Sequence, residues 1–178
     1  MLANVKSMAL HGLDGYLIQV EVDVSGGLPA WEIVGLADTA IKESKERVRI
    51  AIKNSGKEFP SRRIIVNLSP ADVKKEGTFL DLPIAIGILI ATENISVQNL
   101  ENTIFIGELS LNGKINKVNG ILPICIEALK KGIKRIVLPK DNAKEASIVR
   151  NIDIIPVESL MQTIEYLEGK CSLREENI

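Results

Sequence analysis

Two hydroxyls and two lysines are the residues of this chain whose types and spacing come nearest to chemistry. Thr78 stands in a glycine turn, Glu76-Gly77-Thr78, and Ser69 precedes Pro70 at the end of an apolar run. Lys114 and Lys117 follow a second turn at Asn112-Gly113. A hydroxyl held at a turn becomes a nucleophile when a desolvated, neutral lysine takes its proton, which is the chemistry of a Ser/Thr-Lys peptidase. Both hydroxyls also have an ordinary structural role, because turn hydroxyls bond to the local backbone. Little else in the chain is of a catalytic kind. His11 is its one histidine and has no Ser/His/Asp grouping around it. Asp72 and Glu76 lie near Asp81 on a loop, and Asp81 itself reads as a helix cap.

Metal and nucleotide chemistry are not expected in this segment. No Cys or His pair has metal-ligand spacing, so no metal site is expected. The two cysteines form no disulfide framework; Cys125 lies in an apolar helical run and reads as a small core residue, and Cys171 lies in a polar tail. A phosphate-cradling loop of the Gly-x-x-x-x-Gly-Lys-Ser/Thr type needs its hydroxyl and its upstream glycine. Gly56-Lys57 is followed by Glu58 and Gly113-Lys114 by Ile115, and neither has the upstream glycine. No cofactor is therefore expected here.

Charge leaves nucleic acid open as a partner. The net charge is −1, so no global field draws the chain to DNA or to a membrane. Locally the balance differs: residues 42–63 hold eight basic and three acidic side chains, and residues 141–178 hold four and eight. Lys42, Lys45, Arg49, Lys53, Arg62 and Arg63 are the candidates for a phosphate-tracking face. The alternative is a solvated helix in which Glu43 and Glu46 interleave with the basic residues. Aromatics make up 3% of the chain, which argues against base-stacking platforms.

The elements that must position these residues follow an α/β pattern. At 178 residues, 46% of them hydrophobic, the chain can close one globular core. Strands are predicted at 5–11, 16–25 and 30–34, with Asp14-Gly15 as hairpin punctuation. In the second, Ile18, Val20, Val22 and Val24 alternate with Gln19, Glu21 and Asp23, which predicts one buried and one wet face. Asp38 or Thr39 caps a helix running to about Ser55 and closed by Gly56. A strand at 64–68 and an apolar helix from Asp81 follow, with Pro83 tolerated in its first turn. Strands near 104–107, 135–138 and 153–157 then alternate with helices near 120–131, 142–148 and 160–167, which implies βαβ crossovers in a mixed sheet. The N-terminus lacks a secretory signal and the apolar run 82–91 is too short to span a bilayer, so a cytoplasmic location without a membrane partner is expected.

Four segments in order carry a family resemblance: GLPAWEIVGLADTAIKESKERVRIAIKNSG (27–56), NLSPADVKKEGTFLDLPIAIGIL (67–89), GELSLNGKINKVNGILP (107–123) and IVLPKDNAKEA (136–146). Over roughly residues 3–169 the chain resembles the N-terminal domain of the magnesium chelatase-like (ComM/YifB) family of AAA+ ATPases. The resemblance implies a ribosomal-S5-domain-2-like fold similar to the Lon proteolytic domain over 1–169. A polar, frayed tail over 170–178 would lead to an AAA+ module beyond it. ATP and Mg would belong to that module. The partners implied are that module, identical subunits in a hexameric ring, and DNA, in branch migration during recombination and natural competence.

The same resemblance bears on the hydroxyls. In the Lon pattern the serine lies two residues after the glycine of its motif, which here is Phe79, and the lysine opens the next long helix, which here is Leu122. Neither side chain transfers protons. A non-catalytic accessory domain is therefore expected. The alternative is a Lon-type, ATP-dependent endopeptidase with a displaced nucleophile, Thr78 or Ser69.

Overall fold

The structure, a computed structural model, describes residues 1–97 and 100–174. Seven strands form one mixed sheet in the order β3-β4-β2-β1-β5-β8-β9. They are β1 (Leu2–His11), β2 (Asp14–Ser25), β3 (Ala30–Val34), β4 (Arg63–Ser69), β5 (Thr103–Phe105), β8 (Arg135–Pro139) and β9 (Asp153–Val157). A separate two-stranded ribbon pairs β6 (Glu108–Leu109) with β7 (Ile115–Asn116). The helices are α1 (Thr39–Asn54), α2 (Asp81–Ala91), α3 (Ile121–Lys130), α4 (Lys140–Ala146) and α5 (Leu160–Leu167). β1 and β2 make an antiparallel hairpin, and β2 pairs antiparallel with β4. The pairs β3/β4, β1/β5, β5/β8 and β8/β9 are parallel. The expected crossovers are thus present, and a third one, β3-α1-β4, lies in the first half of the chain.

Alternation along the strands divides the interior into two layers. Val137 faces one core together with Val20, Val22, α1 and α2, whereas Ile136 and Leu138 face a second core with α3 and α4. On β2, Ile18, Val20, Val22 and Val24 are buried as the pattern requires. Cys125 is buried in the second core, where desolvation pushes its thiol up to about 12 and leaves it inert. Apart from Asp81, α2 is apolar, and it is buried everywhere but at Ile90, as a helix sandwiched between a sheet and another helix should be. Its Gly87 is required by that position, because a Cβ there would stand 2.6 Å from Val22 Cγ2.

The caps depart from expectation in one respect. Asp38 is the cap of α1: its Oδ1 accepts the Ile41 N–H at 2.8 Å, and its Oδ2 accepts the Gly77 N–H at 3.1 Å. One carboxylate thereby starts a helix and ties down the turn that carries Thr78. Asp38→Ala should cost ~1–2 kcal/mol in urea unfolding; an unchanged midpoint would show that the Gly77 turn holds without it. Asp81, by contrast, is not a cap. Leu80 occupies that position without a side-chain bond, and the Asp81 carboxylate turns inward to a partner on α1.

Candidate functional site

A cleft of about 350 Å³ opens at the carboxyl ends of the adjacent parallel strands β1 and β5, where open α/β sheets place ligands. Three segments wall it: the end of β1 at Met8–Leu10, the turn Glu76-Gly77-Thr78-Phe79, and the approach to α3 at Lys117-Val118-Asn119. Ile106, Glu108 and Ile124 complete it. The approach to α3 is fixed by Asn142, whose Oδ1 accepts the Val118 N–H at 3.0 Å and whose Nδ2 donates to the Val118 carbonyl at 2.9 Å.

Thr78 and Lys117 line this cleft together; Lys114 does not, and pairs by an isolated antiparallel bridge with Ser159, the cap of α5. Among the described residues no hydrogen bond joins the Thr78 hydroxyl to an amine. Ser69 stands apart, at the end of β4 opposite Gln19 of β2. Phe79 packs against both hydrophobic cores and lines the cleft. Leu122 is half-buried against the second core and is not part of the cleft wall.

Behind the Thr78 turn lies Lys75, the one fully buried lysine among the described residues. Lys75 Nζ donates to the Gly35 carbonyl at 2.8 Å and to the Pro70 carbonyl. Burial lowers its pKa, with Asp72 pulling weakly the other way. Its amine is committed to backbone oxygens, and among the described residues no hydroxyl is hydrogen-bonded to it. Beneath the same turn, Arg47 Nε donates to Asp81 Oδ2 at 2.7 Å, and Nη2 donates to Oδ1 at 3.1 Å. The Leu109 N–H adds a third bond to Oδ2, at 3.0 Å. Desolvation pushes the Asp81 carboxyl up to about 6 against the lowering pull of these three bonds. The pair therefore joins α1, α2 and the β6–β7 ribbon as a scaffold and takes no part in the cleft.

The basic candidates lie on the far side of the sheet order. Lys42, Lys45, Arg49 and Lys53 follow one another at helical spacing along α1, with Lys42 and Lys53 exposed. Lys45 Nζ donates to the Trp31 carbonyl at 3.2 Å and Arg49 pairs with Glu46 at 2.6 Å. Arg62 and Arg63 are exposed at the start of β4, where Arg63 lies opposite Ala30 of β3. Strand β3 thus brings the helix stripe and the arginine pair to one edge. Trp31 stacks on Phe59 there, with ring centroids 4.8 Å apart and planes 16° from parallel. Of the two glycine-lysine turns, Gly56 follows the end of α1 and Gly113 sits in the β6–β7 turn.

The family model described as subunit ChlI of Mg-chelatase matches residues 20–142. The chain belongs to the magnesium chelatase-like family. Within that family it is 40% identical to the YifB protein of Escherichia coli over 97% of this chain and 34% of the relative. It is 39% identical to competence protein ComM of Haemophilus influenzae over 95% and 33%. A weaker likeness, 26% identity, joins it to the Lon protease of Mycoplasmopsis agalactiae over 96% of this chain and 18% of the relative. The chain spans about a third of the length of the curated relatives in its own family. The mixed sheet and its crossovers accord with the Lon likeness.

In this magnesium chelatase-like domain the sequence pointed to the Thr78 turn and Lys117 but missed the other walls of the cleft. Glu108 sits in a two-residue strand, and Met8–Leu10 is simply the end of a long one; neither carries a local signal. Lys75 and Arg47 carry no local signal either; only the folded chain joins them to Gly35 and to Asp81.

Proposed function

We propose that this domain is a non-catalytic, Lon-like accessory unit of an AAA+ ATPase of the ComM kind. In the whole protein it would help assemble a hexameric ring and guide DNA during branch migration in recombination. What supports the reading is the cleft: the resemblance to Lon puts the nucleophile's position at Phe79, which lines it, and among the described residues no hydrogen bond joins the Thr78 hydroxyl to an amine. Nucleotide and its metal ion would then be the business of the AAA+ module. DNA would track the edge formed by Lys42, Lys53, Arg62 and Arg63, whose side chains are exposed and of one sign.

Two measurements test this. In a gel shift with duplex DNA, Arg62→Glu with Arg63→Glu should weaken binding and flatten the dependence of log K on log salt by ~0.9 for each phosphate contact removed. An unchanged slope would remove DNA from the reading. In a casein assay the domain should release no peptide. The second reading, a Thr-Lys endopeptidase, is favoured by the presence of Thr78 and Lys117 in one cleft. Cleavage that disappears in Thr78→Ala but survives in Ser69→Ala would establish that second reading in place of the first.

A further inference from the structure

Two asparagine-glycine pairs, Asn112-Gly113 and Asn119-Gly120, stand on either side of β7. Such a pair carries its own reaction. The backbone nitrogen of the glycine can attack Cγ of the asparagine, because no Cβ on the glycine blocks the approach. The N–Cγ bond forms, the Cγ–Nδ2 bond breaks, and the side-chain amide leaves as ammonia with the proton of the attacking nitrogen. Water then opens the cyclic imide at either carbonyl, giving aspartate or isoaspartate. Both partners must move for the ring to close, so the hydrogen bonds around each pair decide which one reacts.

At Asn112 the fold holds every part of the reacting unit. Its Oδ1 accepts the Lys114 N–H at 3.0 Å. The nucleophile, the Gly113 N–H, donates to the Ser110 carbonyl at 2.9 Å, and the Gly113 carbonyl accepts the Leu160 N–H at 2.8 Å. Gly113 is buried against the end of α1, where a Cβ on it would stand 2.9 Å from Ser55 Oγ. Attack here requires bonds on both partners to open first.

Asn119 is placed otherwise. It lines the cleft, and both it and Gly120 are exposed. Among the described residues, neither the Asn119 carboxamide nor the Gly120 N–H has a hydrogen-bonded partner. Gly120 caps α3 with a φ of 75°, and its carbonyl accepts the Ile124 N–H at 3.2 Å. The helix thus anchors the far side of the dipeptide and leaves the attacking nitrogen free.

We propose that Asn119 is a site of spontaneous succinimide formation in the folded chain, and that Asn112 is protected by its bonds. The product alters the cleft. A neutral wall residue becomes a carboxylate and joins Glu76 and Glu108 there. In the isoaspartyl form the main chain also gains an extra carbon directly before α3. None of this depends on DNA binding or on peptidase activity.

The test is peptide mapping by mass spectrometry of the 178-residue chain after incubation in warm, mildly alkaline buffer. Trypsin, cutting after Lys75, Lys114, Lys117 and Lys130, leaves the two sites on separate peptides, 76–114 and 118–130. The folded chain should gain the amide-to-acid mass increment at Asn119, divided between aspartyl and isoaspartyl forms that separate by chromatography. Asn112 should convert at least about tenfold more slowly, the effect expected when two hydrogen bonds must open first. In urea, where neither set of bonds survives, the two sites should convert at similar rates. Equal conversion of both sites in the folded chain would overturn the inference. So would an Asn119 that stays intact, or a difference between the sites that persists in urea.

Discussion

Arg47→Met should lower stability by ~3–5 kcal/mol near pH 8, the usual consequence of stranding a buried charge. The side chain of Asp81 is 1% exposed and would keep only the Leu109 N–H. The loss should shrink on acidification. In the native chain burial already holds the carboxyl at about 6, above its ordinary 3.8, while Arg47 pulls it down. Without Arg47 it rises further. The folded variant then keeps a proton that the unfolded chain has released, so its stability increases as pH falls through the raised value and levels off near 3.8. Urea unfolding at pH 8 and at pH 5 separates this from mere loss of arginine packing, which would give one deficit at both. Adding Asp81→Asn should recover most of the stability and abolish the extra pH dependence, since the amide oxygen still accepts from Leu109.

The second large effect is expected at Lys75. Lys75→Met keeps the length of the side chain but strands the Gly35 and Pro70 carbonyls, at ~1–3 kcal/mol for each buried group left unpaired. The damage should be local as well as global. The Asp38 N–H donates to the Lys75 carbonyl at 3.0 Å, and the Lys75 N–H donates to Leu36 at 2.9 Å, so the two loops are stitched on both sides of this residue. Amide exchange at Asp38 and Lys75 should therefore accelerate more than exchange in β2. A uniform acceleration across the sheet would mean that Lys75 contributes only to the global fold.

How much of this could be read from the chain depends on the range of the interactions involved. The cap of α1, the buried face of β2 and the burial of α2 are short-range patterns, and they appear in the structure where the sequence put them. The parallel pairs β5/β8 and β8/β9 of the mixed sheet were legible because strands alternated with helices. The partnership of Asp81 was not. An acid in the first turn of a helix has the appearance of a cap, and its actual partner lies 34 positions away. Strands β6 and β7 have two residues each, too few to show a period. Helix α4 starts at Lys140, directly after Pro139, two residues before the pattern places it. In the cleft, the Thr78 turn and Lys117 carried turn signals. Residues 170–174 add a similar case: Arg174 reaches Asp153 at 3.1 Å from a stretch whose composition is that of a tail, and 175–178 lie outside the described residues.

Phe79 belongs to the packing of both hydrophobic layers, which makes it a mechanical link through the sheet. A close-packed interior transmits displacement. Any movement of this ring at the mouth of the cleft must consequently be felt by helices on opposite sides at once.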